Sequence, residues 1–183
     1  MKPFRSVLGW VAGWIWLVFA AANLVDVAVR GRDQAAAIAA ASLLLSCGLA
    51  YALGLRPRVA AEEAALAVHN PFRTTRLPWN TITGIEPGRA LTVRYEGGEV
   101  AAWAVQASAR SEARARRAKP DPKLPGDLAD RIAGRTPVDF AAERLEEVRA
   151  RSRGEGEVTV AWSWPALLAV AVPLAALAVL LVL

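Results

Sequence analysis

Three long apolar runs, residues 7–29, 35–55 and 161–183, enclose one charged block at residues 56–157. A helix needs about 20 mostly apolar residues to cross a hydrocarbon core of ~30 Å. Each run is long enough, so each is read as a transmembrane helix. The expected fold class is therefore a membrane protein of α+β type, in which two spans precede a polar domain and a third follows it. The chain is 55% hydrophobic, above the roughly 45–50% of a typical soluble domain, and the spans account for the excess. The block between them is long enough for one small domain with its own core.

The charge balance excludes several functions. The chain has 22 Lys and Arg against 17 Asp and Glu. That mixture lacks the strongly basic face of a nucleic-acid binder. His69 is the one histidine, so a multi-histidine metal site within one chain is excluded. Cys47 is the one cysteine and lies inside the second run, which leaves no intramolecular disulfide and no thiol nucleophile outside the membrane. There is no phosphate-binding glycine loop, and Glu62-Glu63 and Glu146-Glu147 are sequence neighbours that need not face each other. Catalytic residues, metal ligands and cofactors are all expected to be absent.

Sidedness follows from Lys and Arg near the span ends. Lys2, Arg5, Arg56, Arg58, Arg73, Arg144, Arg149, Arg151 and Arg153 fall on one side, Arg30 and Arg32 on the other. The N-terminus and polar domain are expected in the cytoplasm and the C-terminus outside, in a multi-pass protein of the cell membrane. Trp162 and Trp164 stand where an aromatic belt would. Lys2, Arg5 and the small residues Ala20-Ala21-Ala22 also fit a cleaved signal. Apolarity continuing to Val29 favours an uncleaved anchor. Asp26 lies four residues before Arg30, in ion-pairing register. Gly9 and Gly13, and Gly48 and Ala52, are four apart and suit close helix packing.

The block changes period midway. Residues 56–106 read as short strands: 65–69 alternates, Asn70-Pro71 turns, and 72–77 is Thr-rich and extended. Gly84 reads as a bulge, and Gly97-Gly98 as a hairpin turn. Five or six strands are expected, with Trp79 and Trp103 in the core. Residues 107–157 read as charged and helical. A proline-broken linker spans 119–126, and a short helix follows, capped by Asp127 and stopped by Gly134. An amphipathic helix is expected over 137–152, started by Thr136-Pro137-Val138-Asp139. Its apolar stripe, Val138, Ala141, Leu145 and Val148, must be buried against the sheet or offered to a partner.

The order of these elements resembles a known family. Two N-terminal spans lead into residues 65–85 (ALAVHNPFRTTRLPWNTITGI), a glycine hairpin, and a strand carrying Trp103. This is similar to the bacterial pleckstrin-homology-like (PH) domain family typified by low molecular weight protein antigen 6, over roughly residues 20–106. The resemblance implies a PH-like barrel, membrane attachment and no catalysis. It also implies headgroup contacts near the first hairpin, where Arg73 and Arg76 stand, although a spacing of three puts them on opposite strand faces. A denser basic run, Arg110, Arg114, Arg116, Arg117, Lys119 and Lys123, suits anionic lipid. The expected function is a membrane-tethered interaction module whose partners are membrane lipids and another protein, or a second copy of the chain. Two further readings stay open: an accessory subunit of a transporter or envelope enzyme acting through its spans, and an anionic-lipid sensor.

Overall fold

The structure is a computed structural model that describes residues 3–118 and 134–182. Its contacts divide the chain into two units, one rich in strands and one of helices.

The strand-rich unit takes in residues 58–69 and 75–160. Among the described residues there are seven strands, where five or six were expected. β1 (Arg58–Ala61), β2 (Ala65–His69), β3 (Arg73–Pro78) and β7 (Thr159–Trp162) form one sheet in that order. β4 (Ile82–Glu86), β5 (Ala90–Tyr95) and β6 (Gly98–Gln106) form a second sheet, antiparallel throughout. β7 comes from sequence that looked like the start of the third span. Thr159, Val160 and Trp162 are strand-prone, but Ala161 and Trp162 open an apolar run of helical length, which conceals the strand.

Turn chemistry sets the hairpins. The β4–β5 register slips between Ile82 and Gly84, at the expected bulge. The β5–β6 turn is Glu96-Gly97 rather than Gly97-Gly98, because Gly98 already pairs with Tyr95. Gly97 takes φ 99°, which only glycine adopts cheaply.

The core gathers Val59, Leu66, Val68, Leu77, Trp79, Leu91 and Val93 from both sheets. Trp79 is 3% exposed, and its indole N–H donates to the Glu62 carbonyl at 3.1 Å, as a buried indole requires. Trp103 corrects the sequence reading: it is 49% exposed. Ala102 pairs with Leu91 and is fully buried, so its neighbour Trp103 must point to the other face.

Among the described residues two α-helices belong to this unit. α3 (Ala109–Arg117) is capped by Ser108, whose hydroxyl accepts from the Ser111 N–H at 3.1 Å. α4 (Pro137–Arg151) begins with the expected capping box between Thr136 and Asp139. Its apolar stripe, expected to be buried against the sheet or offered to a partner, packs on the sheets. Val138, Ala141 and Leu145 are buried in the core with the two sheets, and Val148 packs partly against it. Leu145→Ala should cost about 3 kcal/mol by opening a cavity. Denaturant unfolding followed by tryptophan fluorescence checks this, and an unchanged midpoint would show that the stripe is not packed. The expected linker 119–126 and the helix after Asp127 lie outside the described residues, apart from Gly134.

The helical unit holds α1 (Val7–Arg30), α2 (Gln34–Ala50, continued by a π-helical turn over Tyr51–Leu55) and α5 (Trp164–Val182). All three are long and apolar enough to cross a membrane. Small residues make the contacts between them. A Cβ on Gly54 would meet the Gly9 carbonyl oxygen at 2.8 Å, and one on Gly48 would meet that of Ala169 at 2.0 Å. Trp16 donates its indole N–H to Ser46 at 3.0 Å, and the Gln34 amide donates to the Leu180 carbonyl at 2.8 Å. The N-terminus of α1 and the C-terminal turn of α2 therefore lie together, as do the N-terminus of α2 and the C-terminus of α5. Arg30 pairs with Asp26 at 3.0 Å, both largely exposed, as the spacing predicts. Pro173 lies inside α5, which begins at Trp164.

Candidate functional site

Asn70-Pro71 forces a turn between β2 and β3, and this turn belongs to the helical unit. Arg56, just past the last turn of α2, holds it. Its guanidinium donates to the carbonyls of Asn70 and Pro71 (3.2 Å to Pro71) and to Thr74 Oγ1 at 2.8 Å. The Ser163 N–H donates to the Phe72 carbonyl at 2.8 Å. The Arg73 guanidinium lies 4.5 Å from the centre of the Trp162 ring, a cation–π distance. Arg56, Arg73, Trp162 and Trp164 thus gather in one unit. The sequence marked Arg56 only as a charge near a span end, because a clasp on a turn 14 residues away has no local signal.

The two arginines expected near a headgroup serve different partners. Arg73 stacks on Trp162, whereas Arg76 donates to Glu62 Oε2 through Nε at 3.2 Å and Nη2 at 3.0 Å. The structure does not converge them on one pocket. His69 ends β2 opposite Arg58 and is half-buried. Among the described residues no group of three His, Cys, Asp or Glu side chains is placed to hold a metal ion.

Glu146 is a contributor that the sequence did not single out. Its Oε1 accepts from the Ile85 N–H at 3.1 Å, and Arg149 holds the carboxylate at 3.2 and 3.3 Å. Ile85 lies on β4, which borders its sheet. An uncovered edge N–H invites pairing with another strand, and Glu146 occupies this one. A shallow cavity of about 380 Å³ opens beside this network, lined by Trp79, Ile82, Arg149, Arg153 and Glu155 among others. Of its two arginines, Arg149 is paired with Glu146, and Glu155 lines the cavity beside Arg153.

The basic run on α3 is sorted by its helix. Arg116 pairs with Glu112 at 3.8 Å. Arg110, Arg114 and Arg117 are exposed and line a groove of about 390 Å³ with Ala113 and Ala118. Lys119 and Lys123 lie outside the described residues.

Residues 56–121 match the family model of the bacterial PH domain. No curated protein and no solved structure matches the chain. The match begins at the clasping Arg56, leaves the first two helices outside it, and reaches beyond residue 106 to take in α3. Over residues 56–121 the chain is thereby similar to the bacterial PH domain family, the resemblance that its Asn-Pro turn, basic strand and Trp79 segment indicate.

Proposed function

We propose that the chain is a non-enzymatic, membrane-tethered interaction module, its PH-like domain held at the cytoplasmic leaflet to engage a protein partner or a second copy. The observation that carries this reading is the chain's order: α2 runs into β1 through Arg56 and Pro57, and β7 runs into α5 through Ser163. A domain attached at both ends cannot cycle on and off the membrane, so its task is recognition in place. The sidedness is supported by Arg5, Arg56 and Arg73 with Trp162 and Trp164 in the helical unit, against Arg30 and Arg32 beyond the other end of α1. The match to a bacterial PH domain supports recognition rather than chemistry.

Reporter fusions check the sidedness. A fusion within residues 60–150 should be active only in the cytoplasm, and a signal from outside would overturn the topology. Crosslinking in native membranes, followed by purification of the full chain, checks the role. A specific partner or a crosslinked dimer is expected, and recovery of neither would sink the reading. The accessory-subunit alternative draws on the close Gly48–Ala169 approach, which makes the helices a packed unit of their own. Function retained after deletion of residues 60–150 would favour it.

A further inference from the structure

Carboxylates partner most arginines of the β-strands and α4. Arg76 pairs with Glu62, Arg94 with Glu86, Arg144 with Glu147, and Arg149 with Glu146. α3 departs from this habit. Glu112 is its one acid and is taken by Arg116. Arg110, Arg114 and Arg117 recur at i, i+4 and i+7, so they form one row along the helix. None of the three has an acidic partner among the described residues. Among the described residues Ala113 and Ala118 line the groove with them, so no apolar bulk among these residues covers the guanidiniums. Ala115, on another side of the helix, is buried and fixes which face turns outward.

We propose that the Arg110–Arg114–Arg117 row is a contact for the phosphate groups of anionic phospholipids, so that α3 rests on the leaflet to which the domain is tethered. This rests on the membrane-tethered reading above. Guanidinium suits phosphate because it donates two parallel hydrogen bonds. A protein partner is disfavoured because the described residues of the groove include no aromatic or large aliphatic anchor of the kind that dominates protein interfaces. A headgroup layer needs no such anchor, and the tether keeps the leaflet at high effective concentration. Three aligned cations meeting a charged plane would orient the domain without selecting one headgroup.

The test uses the full chain in lipid nanodiscs, read by amide hydrogen exchange. In discs containing phosphatidylglycerol, residues 109–117 should exchange on the order of tenfold more slowly than in pure phosphatidylcholine discs. High salt should abolish the difference, as should the triple variant R110Q/R114Q/R117Q. Arg116→Gln, which alters the cation already paired with Glu112, should leave it intact. Equal exchange in the two discs, with α1, α2 and α5 protected in both, would overturn the lipid contact and leave the tethering in place. Unprotected helices in both would overturn the tethering itself. Protection in phosphatidylcholine discs on adding inorganic phosphate alone would reassign the row to a free anion. Stronger protection by polyglutamate than by phosphatidylglycerol would reassign it to an acidic polypeptide. Either result would overturn the proposal.

Discussion

Replacing Gly154 by alanine should strongly destabilise the PH-like domain. A Cβ there would stand 1.7 Å from the Ala64 carbonyl oxygen and 2.5 Å from its carbon. Both are backbone atoms between β1 and β2, in a segment that also accepts the Trp79 N–H at 3.3 Å. Neither side can yield by turning a side chain. The Gly154 carbonyl in turn accepts the Asn80 N–H at 3.1 Å, so shifting the loop also breaks that bond. Overpacking of this kind costs about 3 kcal/mol, and the exposed hydrogen bond adds about 1. Against a domain stability on the order of 5–15 kcal/mol this is a large fraction. The unfolding temperature of the detergent-solubilised chain should fall by roughly 10 °C or more. Gly84→Ala is the control, since nothing lies within 4 Å of the added carbon. It should change stability by no more than about 0.5 kcal/mol. If the two variants melt alike, Gly154 does not approach Ala64 as described.

The second large effect is expected between helices. A Cβ on Gly48 would lie 2.0 Å from the Ala169 carbonyl oxygen and 2.6 Å from its carbon, so even alanine must push α2 from α5. In a bilayer the surrounding lipid is as apolar as the helices, and their association depends on close packing rather than on escape from water. Losing that packing should cost about 2 kcal/mol or more. With Cys47 replaced by serine, thiols at positions 34 and 180 can be joined by a short bifunctional reagent, because the Gln34 side chain reaches the Leu180 carbonyl. Gly48→Ala should reduce the crosslinked fraction several-fold. Undiminished crosslinking would mean that Gly48 does not set the approach of the two helices.

Partner searches gain a constraint from the buried stripe on α4. Val138, Ala141 and Leu145 are spent on the domain's own sheets, so a partner must meet other surfaces. The outer face of β4–β6, which carries Trp103, is one such surface.

Features governed by a few neighbouring residues were legible in the sequence. Apolar length marked the three helices, Thr136 and Asp139 the start of α4, Gly84 the bulge, and Asp26 with Arg30 an ion pair. Each depends on contacts or torsions within about one helical turn or one hairpin. Tertiary structure decided what depends on distant partners. In the stretch Ala101–Val105 both alternating sets are apolar, so only pairing with β5 could turn Ala102 inward and Trp103 outward. β7 stayed hidden in an apolar run because a strand edge on β3, far off in sequence, is what draws it out. Arg56 became a clasp, Glu146 an edge cover and Gly154 a point of backbone contact for the same reason. Each acts on a group brought near only by the fold, and no spacing along the chain encodes that meeting.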